Sequence, residues 1–325
     1  MSCQSIILHS FRETTPGARW RALFQATWPA YRAWYTSGPG TRPSATVAAA
    51  ALRRHMPELV PTWRRLVKLA GGDETAATML THWNMPTFAP ACSQAVVDGD
   101  TRALIRNYDY HPDLFEQVVM STRFGERAVL GTSDCLWGLL DGMNSDGLAV
   151  SLTFGGCSDT GPGFGIPLVV RYLLEVSSTV REALDVLERL PISMCYNLTL
   201  TDRTGHTCTA YVAPGRPPEV RPVAVATNHR FDTPEDARHA ARYHSVERRD
   251  HLVGLLEGRP HPDDLAAAFL RKPLHSTRYG DGFGTLYTAD YRPDTGEVHY
   301  RWPGTVWTRT FDSTDAELRL DVAVP

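Results

Sequence analysis

The pattern of apolar positions changes in character near residue 91. Before it, apolar and aromatic side chains recur at helical spacing in the segments 18–35, 44–54, 59–70 and 73–83. Pro29 lies inside the first segment and predicts a kink or a break in that helix. Ser44 and Asp73 are residue types that cap helices, and each stands at the start of a later segment. The sequence therefore predicts a helical region over residues 1–91.

Beyond residue 91 the apolar runs are short and are separated by turn residues, which is typical of strands. The predicted strands cover residues 93–97, 103–107, 118–122, 128–131, 148–153, 193–201, 206–212, 223–227, 285–291, 297–302 and 306–311. Helices are predicted at residues 166–177, 180–190, 234–256 and 262–270. This order is neither a regular β-α-β alternation nor an all-β pattern. It predicts an α+β fold in which helices cover packed antiparallel sheets.

The Asp-Gly dipeptide at residues 98–99 lies between two apolar runs, which is a strong sign of a β-hairpin. A hairpin centred there places Cys92 opposite residues 105–107, close to Arg106 and Asp109. Arg106 and Asp109 are an odd number of residues apart, so a regular strand points them to opposite faces. If both serve one site, we expect Asp109 at the strand end or on a bulge.

A thiol, a guanidinium and a carboxylate at one place have two interpretations. A neighbouring cation lowers the pKa of a thiol and favours the nucleophilic thiolate. If the chain were cut before Cys92, its new α-amino group would have a reference pKa of about 7.7–8.0, suitable for a general base. Asp109 would then hold this amine and Arg106 in place. The alternative is a buried core cysteine beside an ion pair, and residue types alone favour that alternative.

Cys92 followed by Arg106, Asp109 and Tyr110 resembles the opening of the N-terminal-nucleophile (Ntn) amide hydrolases. More narrowly, it is similar to the acyl-coenzyme A:isopenicillin N (6-aminopenicillanic acid) acyltransferase-like family, which is related to choloylglycine hydrolases and penicillin V acylases. Other similar stretches follow in the same order at residues 141–148, 227–229, 284–287 and 298–304. The resemblance extends from about residue 57 to residue 311, and it rests on the order and spacing of these stretches together.

The resemblance implies a four-layer αββα Ntn-hydrolase sandwich over residues 92–325. Residues 1–91 are then a propeptide-like region that is removed or retained after cleavage between Ala91 and Cys92. Pro90 stiffens the chain before this bond, where the fungal acyltransferase pattern has Gly before the nucleophile. Self-cleavage is therefore a weaker expectation than the nucleophile itself.

The resemblance also implies a set of site residues. The catalytic residues are Cys92, Arg106, Asp109 and Asn228, the last as a donor to the oxyanion. Weaker assignments to substrate binding are Asn144, Asn197 and Arg278. Asn228 and Asn144 each have an alternative role as turn residues that bond to the nearby backbone. Arg278 has an alternative role as a solvated surface residue.

We therefore predict a cysteine-nucleophile amidohydrolase or acyltransferase that forms an acyl-enzyme on Cys92. Its substrate is a small acyl compound, with acyl-coenzyme A as a partner implied only by the resemblance. The acyl group, the choice between water and an amine as acceptor, and self-association stay open. The alternatives are an unprocessed cysteine hydrolase with a side-chain base, or an inactive binding protein on the same fold.

Composition narrows the possible partners and the possible location of the protein. The net charge is −3, so no basic face indicates nucleic acid as a partner. No segment approaches the roughly 20 apolar residues of a membrane helix, and no signal peptide is recognised at the N-terminus. The six cysteines lack metal-ligand spacing, which predicts a cytoplasmic protein without a metal site. No cofactor is implied.

Overall fold

A computed structural model describes residues 2–38, 42–88, 91–99, 101–230 and 237–324. The predicted effect of Pro90 and the beginning of the predicted helix 234–256 lie outside the described residues.

Strands and helices follow the predicted order over most of the described chain. The strands are β1 (Ser2–Glu13), β2 (Ala91–Val97), β3 (Ala103–Tyr110), β4 (Val118–Thr122), β5 (Val129–Asp134), β6 (Gly138–Asn144), β7 (Leu148–Phe154), β8 (Tyr196–Asp202), β9 (Thr207–Val212), β10 (Glu219–Arg221), β11 (Val225–Ala226), β12 (Thr277–Arg278), β13 (Phe283–Arg292), β14 (Glu297–Trp302), β15 (Thr305–Thr310) and β16 (Ala316–Val324). The helices are α1 (Ala18–Ser37), α2 (Ala45–His55), α3 (Val60–Leu69), α4 (Glu74–Met79), α5 (Ile166–Val176), α6 (Val180–Leu187), α7 (Ala237–Tyr243), α8 (Ser245–Glu257) and α9 (Pro262–Phe269).

Two sheets pack face to face between two layers of helices. The larger sheet has the strand order β10-β9-β8-β7-β6-β5-β4-β1-β16, and the smaller has β11-β2-β3-β13-β14-β15 with β12 on β13. Strands β2 and β3 contact β7 across the interface, α5 lies against β6 and β7, and α8 and α9 lie against β2 and β3. The predicted four-layer αββα sandwich is confirmed. Strand β7 is buried along its whole length, because both of its faces are covered.

The N-terminal region is not wholly helical. Strand β1 lies inside the larger sheet, parallel to β4 and antiparallel to β16. Ile6, Leu8 and Ser10 are buried and alternate with more exposed residues. The alternation is short and includes a polar residue, so the helical prediction was wrong for this segment. Helix α1 also continues through Pro29 without a break.

The helix predicted at residues 234–256 is divided in its described part. Helices α7 and α8 meet at His244, whose φ of 46° is left-handed. The division gives α8 its own direction, and α8 is the helix that lies against β2.

The register of the β2–β3 hairpin differs from the prediction. Cys92 pairs with Tyr108 rather than with residues 105–107, because residues 98–102 separate the strands and move the centre of the hairpin toward residue 100. Asp109 lies in a regular part of β3. The irregularity is in the partner strand β13, between Thr285 and Tyr287. A bulge is therefore present opposite Asp109, but in the partner strand rather than at Asp109 itself.

The cysteines are not all unpaired. Cys157 and Cys195 form a disulfide that joins the loop after β7 to the start of β8. Scattered cysteines therefore do not indicate a reducing compartment here, and the cytoplasmic location stays a prediction. None of the described helices has the length and apolar character needed to cross a membrane.

Candidate active site

Cys92 lies at the start of β2 with its side chain fully buried between the two sheets. Arg106, on the same face of the hairpin, donates from Nη2 to Cys92 Sγ at 2.8 Å. The two residues share a face because Arg106 is two positions from Tyr108, the partner of Cys92. The predicted neighbourhood of thiol and guanidinium is therefore present.

Asp141 of β6 holds Arg106 in this position. Arg106 Nη1 donates to Asp141 Oδ2 at 2.8 Å and to the Leu140 carbonyl at 2.7 Å. The same carboxylate accepts from the hydroxyls of Tyr287 at 2.6 Å and Tyr291 at 2.5 Å. This buried ion pair carries hydrogen bonds on both carboxylate oxygens, which compensates much of its desolvation. Asp141 therefore fixes the guanidinium that contacts the thiol.

Burial raises the pKa of the Cys92 thiol to about 11, although Arg106 opposes this shift. The expectation that the cation would lower the pKa below its ordinary value is corrected for the uncut chain. Desolvation of the thiolate exceeds the stabilisation that the guanidinium supplies. The described geometry therefore keeps the sulfur neutral.

Asn228, just after β11, binds the backbone of the same cysteine. Its Oδ1 accepts from the Cys92 N–H at 2.9 Å, and its Nδ2 makes a long contact of 3.4 Å to the Phe154 carbonyl. Asn228 is fully buried. Gly156 packs on it with φ 75°, and a Cβ there would lie 2.6 Å from the Asn228 carbonyl oxygen.

Asp109 lies on the opposite face of the hairpin from Arg106 and pairs with Ala91. Its Oδ1 accepts from Thr285 Oγ1 at 2.6 Å. Its Oδ2 is buried, has no hydrogen bond to any described residue, and lies 3.6 Å from Arg248 Nη1. Burial raises the pKa of Asp109 to about 6, and Arg248 opposes the shift.

Arg248 of α8 was not predicted from the sequence to belong to this site. Its Nη1 donates to the Cys92 carbonyl at 2.7 Å and to Ser93 Oγ at 2.6 Å, and its Nη2 donates to Asn228 Oδ1 at 2.8 Å. Ser245, Arg248 and Leu252 stand at helical spacing, but it is the structure that shows all three to be buried. An arginine on the buried stripe of a helix indicates a specific partner.

Asn197 of β8 supports the segment that carries Asn228. Its Nδ2 donates to the carbonyls of Thr227 at 2.8 Å and His229 at 3.1 Å. Its Oδ1 is buried and has no hydrogen bond among the described residues. The contacts are those of a positioning residue, and its assignment to substrate binding stays a prediction.

Asn144 and Arg278 make other contacts. Asn144 Nδ2 donates to the carbonyls of Leu174 and Ser177 at 2.9 and 2.7 Å, which fixes the β6–β7 turn to the end of α5. Arg278 is exposed and pairs with Asp281 at 2.9 Å. The structure brings neither of them into contact with Cys92, and their assignments to substrate binding stay predictions.

A cavity of about 310 Å³ has Tyr110 and Phe115 among its lining residues. The ring of Tyr108 contacts both, with centroids 5.9 and 5.8 Å away. Tyr108 is also the residue directly opposite Cys92. Helix α1 supplies one wall of this cavity.

The fold and the chain's family define its class, an Ntn-type acyl-amide hydrolase or acyltransferase. Residues 96–307 match the family described as acyl-coenzyme A:6-aminopenicillanic acid acyl-transferase, and the chain belongs to that family. The match covers most of the chain and begins just after Cys92.

Solved structures with a related fold include a mutant of conjugated bile acid hydrolase from Clostridium perfringens. It has 13% identity and a TM-score of 0.48, covering 70% of this chain and 96% of that one. Penicillin V acylase from Agrobacterium tumefaciens has 16% identity and a TM-score of 0.48, covering 67% and 84%. No curated protein sequence is similar enough to count as a match.

Proposed function

We propose that this protein is a cysteine-nucleophile acyl-amide hydrolase or acyltransferase, with Cys92 as its N-terminal nucleophile after cleavage of the Ala91–Cys92 bond. One observation carries the proposal. The sulfur of Cys92 accepts from Arg106 at 2.8 Å, while the nitrogen of the same residue donates to Asn228 at 2.9 Å. Thiol and future amine thus each have a fixed, buried partner.

Cleavage begins with an N-to-S acyl shift. The Cys92 thiol loses its proton as Sγ bonds to the Ala91 carbonyl carbon, the C–N bond breaks, and the nitrogen takes up a proton. Water then hydrolyses the thioester, which releases Ala91 as a carboxylate and restores the thiol. Arg248 holds the Cys92 carbonyl at 2.7 Å, and Asp109 lies opposite Ala91, so both are placed to keep this bond fixed.

Turnover uses the groups that cleavage leaves behind. The Cys92 amine accepts the thiol proton, Sγ attacks the acyl carbon, and the leaving amine takes that proton. Asn228 Nδ2 and backbone N–H groups hold the oxyanion of the tetrahedral intermediate. Water or an amine then accepts the acyl group from the thioester. Asp109 Oδ2, which has no hydrogen bond in the uncut chain, is available to the new ammonium group.

The substrate of this reaction is a small acyl compound. Acyl-coenzyme A remains a proposed donor, suggested by the description of the family. The two structures with a related fold are a conjugated bile acid hydrolase and a penicillin V acylase, and the proposed reaction has the same bond type as the names of these proteins indicate.

The first alternative is an enzyme that never cleaves itself and uses a side-chain base. Among the described residues no imidazole hydrogen-bonds to Cys92 Sγ, which accepts from Arg106. His229 is near in sequence to Asn228, but its ring nitrogens contact Ser245 and Arg249. The second alternative is a binding protein without activity, and the complete buried cluster argues against it.

Intact-mass measurement tests the proposal directly. Purified protein is incubated with 4-nitrophenyl hexanoate and analysed under denaturing conditions. We expect fragments 1–91 and 92–325, with one acyl group on the larger fragment. Cys92→Ser should lose the thioester, while Cys208→Ser, which changes another buried free thiol, should keep it. An intact chain that is acylated on Cys92 would favour the first alternative, and no acylation would favour the second.

A further inference from the structure

The cavity beside Tyr108 combines aromatic walls with acidic side chains. Rings of Tyr31, Trp34, Tyr110 and Phe115 line it. In the described part of the chain its charged lining residues are Asp113, Glu116 and Asp134, and no basic side chain lines it. We call it the acidic pocket. Its volume of about 310 Å³ is at the lower end of the range for small-molecule sites.

Two of these carboxyl groups, those of Glu116 and Asp134, are held close together because both bond to Tyr31. Tyr31 donates from its hydroxyl to Asp134 Oδ1 at 3.1 Å and also bonds to Glu116. Glu116 Oε1 accepts from the Leu136 N–H at 2.8 Å, and its Oε2 accepts from Ser133. Asp134 is only 8% exposed. The pair therefore cannot turn away into solvent.

The backbone at this place is held in a costly conformation. Cys135 and Leu136 have φ values of 54° and 77°, and neither is glycine. Trp20 Nε1 donates to the Leu136 carbonyl at 2.9 Å, and His82 Nε2 lies 3.1 Å from the Cys135 carbonyl. Such strain persists only where the surroundings impose it, and it is common at functional sites.

Among the described residues no basic side chain forms an ion pair with Glu116 or Asp134, although Arg106 acts on Asp134 from a greater distance. Burial of both carboxyl groups is therefore unfavourable on its own. Burial, together with the charge of Asp134, raises the pKa of Glu116 to about 7. Burial likewise raises the pKa of Asp134 to about 6. A cation between them would remove this penalty, because an ammonium group has three donors and no acceptor.

We propose that the acidic pocket selects substrates whose small apolar or aromatic body carries a positively charged amine, which Glu116 and Asp134 bind. This rests on the proposed function, since the pocket is taken as the substrate site of Cys92. The charge of the pocket disfavours phosphates and carboxylates. The phosphate-bearing part of a coenzyme A thioester would therefore stay outside it.

Binding measured without turnover tests this proposal. Isothermal titration at pH 8 compares 4-phenylbutylamine, 4-phenylbutanol and 4-phenylbutyrate, which share the ring and the chain. We expect the amine to bind roughly tenfold or more tightly than the alcohol, as for a hydrogen bond to a charged group, and the carboxylate to bind weakest. Equal binding of amine and alcohol by the wild-type protein would overturn the proposal, whatever the variants do.

Substitutions locate the effect. Glu116→Gln and Asp134→Asn should each reduce the preference for the amine about tenfold. Glu317→Gln, which changes an exposed carboxyl on β16, is the matched control and should leave the preference unchanged. If neither pocket variant reduces the preference, the amine binds elsewhere and the proposal fails.

The Cys92→Ala variant separates this proposal from the proposed function. It should keep the preference for the amine, since Cys92 does not line the pocket. If the wild-type protein prefers the amine but is never acylated, the pocket assignment stands and Cys92 is not the nucleophile. If Cys92 is acylated but the amine is not preferred, Cys92 stays the nucleophile and the pocket assignment fails.

Discussion

Asp109 lies directly opposite Ala91 in the ladder of β2 and β3. Arg248 Nη1 lies between the two strands, 2.7 Å from the Cys92 carbonyl and 3.6 Å from Asp109 Oδ2. A carboxylate on the face opposite Arg106 can thus serve the same cysteine, because it addresses the backbone rather than the side chain. In this hairpin the Cys92 thiol lies on one face, and the Ala91–Cys92 bond lies next to Asp109 on the other.

The first prediction concerns that bond. Wild-type protein should separate into fragments 1–91 and 92–325 under denaturing mass spectrometry, and Cys92→Ala should stay intact. Asp109→Asn should be cleaved about tenfold or more slowly, because the carboxylate near the departing nitrogen is lost. A time course after denaturant removal measures the rate. Cleavage of Asp109→Asn at the wild-type rate would remove Asp109 from this step.

The second prediction is that the two fragments stay together after cleavage. Strand β1 pairs with β4 and β16, and α1 buries Trp20 and Leu23 in the common core. Native mass spectrometry should give one particle that contains both fragments. Loss of residues 1–91 from an active particle would show that the N-terminal region is dispensable.

The third prediction concerns the thiol. Arg106→Leu removes the cation that contacts Sγ, so the pKa of Cys92 should rise by about one unit or more. Alkylation by iodoacetamide at pH 8 should slow roughly tenfold, since the thiolate is the reacting species. Peptide mapping identifies Cys92 among the other thiols. Arg278→Leu, which changes an exposed arginine, should react like wild type; equal rates in both variants would contradict the assignment.

The fourth prediction separates the two ends of the Asn228 amide. Asn228→Asp keeps an oxygen for the Cys92 N–H and Arg248 but loses the Nδ2 donor. Its turnover number should fall about a hundred- to a thousand-fold while the Michaelis constant changes little. Asn228→Ala should lose turnover and also stability, because this residue is fully buried and its partners would be left unpaired. Near-normal turnover in Asn228→Asp would exclude it as the oxyanion donor.

The fifth prediction follows from the raised pKa of Glu116. The folded state holds its proton up to about pH 7, whereas the unfolded chain releases it near the ordinary value of 4.5. Stability should therefore fall as pH rises from about 4.5 to about 7. Glu116→Gln lacks this loss, so its melting temperature relative to wild type should be about 2–4 °C higher at pH 8 than at pH 4.5. The same difference at both pH values would contradict the shift.

Local chemistry allowed the hairpin and its trio to be predicted from the sequence. The Asp-Gly dipeptide fixed the turn, and the spacing placed Cys92, Arg106 and Asp109 together. The register was missed by one residue or more, because the loop length was not visible in the apolar pattern.

Residues brought in from distant segments were harder to find. Asp141 lies in an apolar strand, where a lone acid signals a buried partner, but its partner Arg106 is far away in sequence. Arg248 had a helical signal that only the burial of its neighbours makes visible. Strand β1 was missed because its partners β4 and β16 lie far along the chain.

The position of β1 also determines when folding, and with it cleavage, can be completed during synthesis of the chain. A chain is synthesised from its N-terminus, so the first strand emerges long before β16 exists to pair with it. Its place in the sheet is completed only when residues 316–324 have left the ribosome. Arg248 and Asn228, which hold Cys92, are also made late. Cleavage before Cys92 would therefore occur only after these late segments have folded, so a cleaved chain is one whose folding is complete.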